Sequence, residues 1–212
     1  MKLYGYWRSS ASYRVRIALN LKGLRYEYEP VHLVSDGGEQ HRKAYGELNP
    51  AHLVPTLVDG ELVLNQSLAI IEYLDSLAGP KLVPADPKRA AIVRMLALDL
   101  ACDLQPVTNL RVLQYVSGEL DAGDDGRQAW VTHWVNKAFS AFEKRLESYA
   151  GVYCVGDTLS LADVCLVPQV YNAQRFKVDL SVYPRIMQVV ANLQQLEAFQ
   201  KAVPEQQPDA IK

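Results

Sequence analysis

The sequence contains little cysteine and has no cysteine pair at C-x-x-C spacing. Its three cysteines, Cys102, Cys154 and Cys165, are odd in number and lie in apolar stretches that we interpret as helical. These features argue against a disulfide framework and against a dithiol redox motif. We therefore expect reduced, buried thiols that serve packing in a cytosolic protein, and no metal site.

The sequence also lacks an excess of charge of either sign. Its 22 Lys and Arg against 24 Asp and Glu give a formal net charge of -2, so neither a nucleic acid nor an anionic membrane is expected as a partner. No apolar run reaches the length of a membrane span, and no charged leader with an apolar core precedes the first predicted strand. We expect a protein that is neither exported nor inserted in a membrane.

What the sequence does have near its start is a polar corner between a strand and a helix. Apolar and aromatic residues at 3–7 predict a buried strand, and residues 12–22 have helical spacing that ends at Gly23. Four polar residues occupy the corner: Arg8, Ser9, Ser10 and Ser12. Because the unpaired N–H groups of a helix N-terminus favour a bound anion, this corner is a candidate anion site.

The corner offers no nucleophile of its own. Ala11 stands where a thiol-transfer enzyme of this layout would carry a cysteine, and no histidine lies nearby in the sequence to activate a serine. We infer that the corner stabilises a thiolate brought in by a ligand. The alternative is that the serines only cap the helix, which is worth about 1 kcal/mol.

The first eighty or so residues are predicted to alternate strands and helices in the order of a thioredoxin-like domain. Residues 25–33 predict a second strand, and Asp59-Gly60 is a strong hairpin signal between strands at 56–58 and 61–64. A helix is predicted at 68–77. The order is a βαβ unit followed by a ββα unit.

A second polar helix start and one proline add to the candidate site. Gln66 and Ser67 precede the helix at 68–77, where they are either caps or ligand-binding groups. A cis Val54–Pro55 bond would turn the backbone of Val54 towards a ligand, and the sequence leaves cis and trans both open.

From residue 88 onward the periodicity is helical only. We predict an α/β plus all-α protein with a thioredoxin-like domain at 1–80, a linker at 81–87 and an all-helical domain at 88–212. The expected elements are a helix at 88–116 bent by Pro106, a helix at 128–149, a helix opened by a capping box at Ser160–Asp163, a last helix from Pro184, and a poorly ordered polar tail at 204–212.

The stretch from Arg8 to Leu19, RSSASYRVRIAL, resembles the signature of the zeta-class glutathione transferases, which usually carries a cysteine in place of Ala11. Further strings also match that class: LKG at 21–23, DGG at 36–38, LNP at 48–50, VP at 54–55, QSLAIIEYL at 66–74, LADVCLVPQV at 161–170, RFKVDL at 175–180 and QPD at 207–209. The resemblance covers nearly the whole chain.

The resemblance implies a glutathione-dependent cis–trans isomerase, with glutathione as cofactor, a small dicarboxylate keto acid as substrate, and a homodimer. The class is known for conversion of maleylacetoacetate to fumarylacetoacetate in tyrosine and phenylalanine breakdown, and it includes bacterial maleylpyruvate isomerases. The implied catalytic residues are Ser9, Ser10 and Arg8. The implied glutathione-binding residues are Ser9, Val54, Gln66, Ser67 and Gln105. The implied substrate-binding residues are Arg8, Arg175 and Arg111, whereas Arg14 and Arg16 are expected to serve packing and surface pairing.

Two residues keep alternatives open. Ala11 leaves isomerisation possible, because the attacking sulfur belongs to glutathione, but it argues against a transferase activity that used a cysteine there. Arg111 matches maleylpyruvate isomerases and is typically absent from animal maleylacetoacetate isomerases; it is either a third carboxylate ligand or a solvated helix residue. The other hypotheses are a maleylpyruvate isomerase, a broad glutathione transferase or haloacid dehalogenase, and a glutathione-binding module without turnover.

Overall fold

In the computed structural model, which describes residues 1–211, four short strands form one mixed sheet. The strands are β1 (Lys2–Gly5), β2 (Glu27–Pro30), β3 (Thr56–Asp59) and β4 (Leu62–Asn65), in the spatial order β2-β1-β3-β4. β1 runs parallel to β2 and antiparallel to β3, and β4 completes a hairpin with β3. The four strands are those that the sequence predicts, although the first two are shorter than expected.

The helices that accompany this sheet complete the thioredoxin-like fold. They are α1 (Ser10–Lys22), α2 (Lys43–Leu48) and α3 (Ser67–Leu77), and α1 packs against α3. Gly23 ends α1 in the left-handed region at φ 63°, where a side chain would be strained. The core between the sheet and these helices is apolar and fully buried, with Leu3, Ile17, Leu57, Ile70 and Leu74 each 0% exposed.

The strand register brings three chain segments to one edge of the sheet. Tyr4 lies opposite Thr56, and Thr56 lies opposite Asn65. The end of β1, the start of β3 and the end of β4 therefore meet at this edge. The N-termini of α1 and α3 begin beside it, because each helix follows its strand within a few residues.

The C-terminal segment belongs to the same compact unit as the sheet. One unit consists of Met1–Lys81 and the segment that begins at Leu196, and the other is Leu82–Gln195. The short helix α10 (Glu197–Ala202) packs against α1, where it buries Phe199 and Ala202 and accepts a 2.9 Å hydrogen bond from the Asn20 amide at the Ala198 carbonyl. The sequence placed this segment with the helical domain and expected a poorly ordered tail. Residue 212, the last of that tail, lies outside the described residues.

The second unit is built from helices and their connections, and within the described residues a single β-bridge joins Ala150 to Gly156. Its helices are α4 (Pro87–Leu98), α5 (Gln105–Val107), α6 (Leu110–Ser117), α7 (Gly123–Tyr149), α8 (Leu161–Arg175) and α9 (Pro184–Leu193). α8 is almost wholly buried and packs against α4, α7 and α9, and the predicted capping box at Ser160 and Asp163 opens it. Across residues 1–211 no helix has both the length and the apolar content to cross a membrane.

The single helix predicted at 88–116 is wrong, because the structure divides it. A π-helical stretch, Asp99–Leu104, follows α4, and Pro106 then sits in the one-turn helix α5 without an N–H to continue the ladder. Asn109 adopts an extended conformation, and its side chain accepts the N–H of Val112 at 3.1 Å, so a new helix starts there.

The three cysteines are free thiols, but the expectation of uniform burial is wrong. Cys102 is exposed in the π-helical stretch, whereas Cys154 and Cys165 are buried. Cys154 lies in the connection before α8 rather than in a helix, and burial raises its pKa well above the usual thiol range. A thiol held protonated in this way is a poor nucleophile, so Cys154 serves packing.

Candidate active site

Ser9 is the N-cap of α1. Its backbone is extended (φ -68°, ψ 119°), its side-chain oxygen accepts the N–H of Ser12 at 3.2 Å, and its carbonyl accepts the N–H of Tyr13 at 2.8 Å. No residue among 1–211 accepts the hydroxyl hydrogen of Ser9, and the side chain is only partly buried. The hydroxyl can therefore cap the helix and donate a hydrogen bond outward at the same time.

The other small residues of the corner have different positions. Ser10 is the first residue of α1, whereas Ser12 is fully buried and lies 3.4 Å from the backbone nitrogen of Tyr6. Ala11 is also buried, at 8% exposure. Of the three serines, Ser9 and Ser10 are thus the ones that an incoming anion can reach.

Arg8 is held beside this corner by two aromatic residues. Its guanidinium lies 4.6 Å from the ring centroid of Trp7, and its Nη2 donates to the hydroxyl of Tyr6 at 3.1 Å. Tyr6 in turn meets the ring of His32 edge to face at 5.0 Å. The Nε atom of Arg8 is buried and has no partner within the described part of the chain. A cation fixed in this way next to Ser9 is suited to hold a carboxylate.

Arg14 and Arg16 correct the sequence interpretation, because neither lies at the surface. Arg14 is 1% exposed and donates to the hydroxyl of Ser67 at 3.2 Å. Arg16 is 0% exposed and donates to the carbonyls of Trp7 and Ala202 at 2.9 and 3.1 Å. Burial lowers the pKa of Arg16 from its ordinary value. These arginines tie α1 to α3 and to the C-terminal segment.

The segment before β3 offers the backbone N–H and C=O groups of Val54 to a ligand. The Val54–Pro55 bond is cis. Neither the N–H nor the C=O of Val54 is hydrogen-bonded within residues 1–211. An extended ligand can therefore pair with this peptide in the way that a neighbouring strand would.

Gln66 and Ser67 start α3 at the same edge of the sheet. Gln66 has φ 70° and ψ 111°, an unusual conformation for a residue other than glycine that costs about 1 to 3 kcal/mol, and its side chain makes no capping hydrogen bond. Ser67 is 7% exposed and holds its hydroxyl against Arg14. Strained residues of this kind cluster at ligand sites.

Six of the predicted site residues thus lie in the first unit, at one edge of the sheet: Arg8, Ser9, Ser10, Val54, Gln66 and Ser67. The other three lie in the second unit. Gln105 is half-buried in α5, and Arg111 is exposed in the first turn of α6. Arg175 is the last residue of α8, where it donates to Asn172 at 3.1 Å and lies 5.5 Å from the ring of Phe176.

A group of supporting residues around the corner was not predicted from the sequence. Tyr6 binds Arg8, Arg14 binds Ser67, and a carboxylate oxygen of Asp209 accepts the N–H of Trp7 at 2.9 Å. The only sequence signal for Asp209 was its place in the QPD string. A contact between residues 202 positions apart has no local pattern that would reveal it.

Comparisons with known proteins match both parts of the chain. The N-terminal domain of glutathione S-transferase matches residues 3–82, and the C-terminal domain of glutathione S-transferase matches residues 130–197. A probable maleylacetoacetate isomerase of Vibrio cholerae is 56% identical over 209 residues, which cover 98% of this chain and 97% of that protein.

Two solved structures share the whole fold. The holo structure of a maleyl pyruvate isomerase, described as a bacterial zeta-class glutathione S-transferase, has a TM-score of 0.96 at 46% identity and full coverage of both chains. A maleylacetoacetate isomerase of Methylobacterium extorquens AM1, with bound malonate and GSH, has a TM-score of 0.95 at 36% identity, again with full coverage of both. This chain therefore belongs to the glutathione S-transferase family, within its zeta class.

Proposed function

We propose that this protein is a glutathione-dependent cis–trans isomerase that converts maleylacetoacetate to fumarylacetoacetate. One observation carries the proposal. The Ser9 hydroxyl caps α1 while its hydrogen is left without an acceptor among the described residues, and Ala11 removes the cysteine alternative. The site is built to stabilise an anion and has no nucleophile of its own.

The residues present fit glutathione as the cofactor. Ser9 would receive its thiolate, the unpaired peptide of Val54 would pair with its cysteinyl part, and Gln66 and Ser67 would hold its γ-glutamyl end. Gln105 completes the proposed set. When bound, glutathione supplies the thiolate whose reversible addition to the cis double bond allows rotation to trans.

Magnitudes support Ser9 as the main stabilising group for that thiolate. Lowering the pKa of a bound thiol from about 8.5 to about 6.5 needs about 2.7 kcal/mol of preference for the anion. The N-terminus of α1 supplies about 0.3 to 1 kcal/mol. A charge-assisted hydrogen bond from the Ser9 hydroxyl supplies about 1.5 to 3 kcal/mol, so the serine is the larger contribution.

Three arginines complete the proposed site. Arg8, held by Tyr6 and Trp7, would bind one substrate carboxylate and stabilise negative charge that develops during the reaction. The family resemblance assigns Arg175 and Arg111 to substrate carboxylates as well. Guanidinium groups suit this role because they meet carboxylates with two parallel hydrogen bonds.

The choice of maleylacetoacetate as the main substrate follows from sequence similarity. The chain is 56% identical to the Vibrio cholerae protein and 46% identical to the maleyl pyruvate isomerase of known structure. Maleylpyruvate remains the second candidate, favoured by Arg111 and by that structural match. The two substrates differ only in the tail beyond the reacting double bond.

The decisive experiment follows both maleyl keto acids with purified protein, with and without glutathione. We expect conversion of maleylacetoacetate only with glutathione, and a larger kcat/KM on it than on maleylpyruvate. S-methylglutathione, which occupies the site without a thiol, is the matched control and should inhibit. Equal rates with and without glutathione would refute the proposed function, and a larger kcat/KM on maleylpyruvate would reassign the substrate.

The same preparation separates the remaining alternatives. Turnover of haloacids or aryl halides faster than that of either keto acid would indicate a broad transferase. Glutathione binding in calorimetry without any turnover would indicate a binding module.

We also propose a homodimer in the cytosol. The edge strand β4 exposes Leu62 and Val63 at 41% each, which leaves apolar surface for a partner. All three cysteines are free, as is usual in a reducing compartment. Light scattering should give twice the chain mass of 23.7 kDa, and a monomer at micromolar concentration would refute the dimer.

A further inference from the structure

Both peptide groups that flank Trp7 are held by charged side chains, of which Arg16 is fully buried and Asp209 is partly buried. Its N–H donates to Oδ2 of Asp209 at 2.9 Å, and its carbonyl accepts from Nη2 of Arg16 at 2.9 Å. Asp209 comes from the C-terminal segment, and Arg16 comes from the second turn of α1. Side chains from two elements far apart in the sequence therefore hydrogen-bond to the backbone N–H and the backbone carbonyl of the same residue, Trp7.

The two charged groups have few other partners. Arg16 is fully buried, and its Nε and Nη2 also donate to the carbonyl of Ala202, again in the C-terminal segment. Asp209 also accepts a long hydrogen bond, 3.4 Å, from the hydroxyl of Tyr28. Nη1 of Arg16 and Oδ1 of Asp209 are buried without a partner in the described chain. Burying such groups is unfavourable unless they are paired, so stability alone does not account for them.

The backbone of Trp7 leads directly into the active-site corner. The N–H of Ser9 donates to the carbonyl of Tyr6 at 3.0 Å, which closes a turn over residues 6–9. Trp7 and Arg8 are the two central residues of that turn. Fixing both peptide groups of Trp7 therefore fixes where the turn places the Arg8 and Ser9 side chains.

We propose that Asp209 and Arg16 are positioning residues that clamp the Trp7 peptide groups and so hold Ser9 and Arg8 in the geometry that the isomerisation requires. The C-terminal segment is then a working part of the active site rather than a tail. The inference rests on the proposed function. The expected loss of rate on removing the clamp follows from orientation effects, since a displacement of about 1 Å in a reacting group can lower the rate about 100-fold.

The test compares three variants. Asp209→Ala removes the acceptor, and Asp209→Asn keeps an amide oxygen that can still accept the Trp7 N–H. Asn20→Ala is the matched control, because it removes the 2.9 Å tie from α1 to Ala198 in the same C-terminal segment without touching Trp7. We expect kcat/KM to fall about 10- to 100-fold in Asp209→Ala, by less in Asp209→Asn, and by under about twofold in Asn20→Ala.

A second readout needs neither substrate nor glutathione. The chain has three tryptophans, so ¹⁵N-tryptophan labelling gives backbone amide signals from Trp7, Trp130 and Trp134, and a Trp7→Phe sample assigns the first. Hydrogen exchange at the Trp7 amide should quicken at least about tenfold in Asp209→Ala, while Trp130 and Trp134 keep their rates. In Asn20→Ala the Trp7 rate should stay unchanged.

Unchanged exchange at Trp7 in Asp209→Ala would overturn the clamp, and so would equal losses of kcat/KM in Asp209→Ala and Asn20→Ala. Should Asp209→Ala fail to fold, Asp209→Asn decides the question, and wild-type values in both readouts would overturn the proposal. A wild-type chain without isomerase activity would refute the proposed function instead, while the exchange experiment still reports on the clamp.

Discussion

Replacing Ser9 by alanine separates the two roles that the structure gives this side chain. The hydroxyl accepts the N–H of Ser12 at 3.2 Å as the cap of α1, and its own hydrogen is available for a ligand thiolate. The cap affects the stability of the fold, whereas the donated hydrogen bond lowers the pKa of the bound thiol. Ser9→Ala removes both, so stability and activity must be measured on the same samples.

The expected magnitudes differ enough to tell the roles apart. Loss of the cap should lower the free energy of unfolding by about 1 kcal/mol, or the melting temperature by about 2 to 4 °C in a chain of this size. Loss of the hydrogen bond to the thiolate removes about 1.5 to 3 kcal/mol, which is about 10- to 150-fold in the population of the anion. Adding misplacement of the thiolate, we expect turnover to fall by two to three powers of ten, as when one anion-stabilising donor is removed.

The assay is the keto acid isomerisation at saturating glutathione, together with thermal unfolding and the ultraviolet absorbance of the bound thiolate. The thiolate signal of Ser9→Ala should titrate at higher pH than that of the wild type. Asp86→Ala is the matched control for capping, because Asp86 caps α4 by accepting the N–H of Arg89 at 2.8 Å and is no candidate site residue. It should lose similar stability and keep its activity.

Near-normal turnover in Ser9→Ala would remove Ser9 from the mechanism, whatever its effect on stability. A similar loss of turnover in Asp86→Ala would mean that activity merely follows stability. Ser9→Thr, which keeps the hydroxyl and the cap, should recover most of the rate, and its failure to do so would count against a role for the hydroxyl.

Three further variants test other parts of the site and the fold. Tyr6→Phe removes the 3.1 Å hydrogen bond to Arg8, so KM for the keto acid should rise about two- to tenfold with glutathione affinity unchanged; an equal change in both would point to a structural effect. Arg175→Ala should also weaken substrate binding and leave calorimetric glutathione binding intact, and parallel losses would assign Arg175 to structure. For Asp163, burial raises the pKa of the carboxyl in the folded chain above its ordinary value. At a pH between the ordinary and the raised pKa, the folded chain therefore binds more protons than the unfolded chain. Its contribution to stability should therefore decline as pH rises through that interval, and guanidinium unfolding from about pH 4 to pH 7 should show a smaller decline in Asp163→Asn.

Local patterns in the sequence determined the elements of the first unit and the start of its candidate site. Alternation and turn residues located the four strands, and Gly23 and the serines at 9–12 located both ends of α1. The single helix predicted at 88–116 is wrong, because the π-helical stretch and Asn109 divide a sequence whose apolar periodicity continues through it. Periodicity reports which face is buried, but it does not reveal a local change in helical hydrogen bonding.

Only the tertiary structure decided which polar residues are buried and what they hold. Arg14 and Arg16 were expected to serve packing and surface pairing, yet both are inside, because α3 and the C-terminal segment cover α1. Asp209 reaches Trp7 across 202 positions for the same reason. Local sequence therefore determines where the anion site begins. Long-range packing determines which residues support that site, because a buried charge is paired with groups from whichever element the fold places beside it.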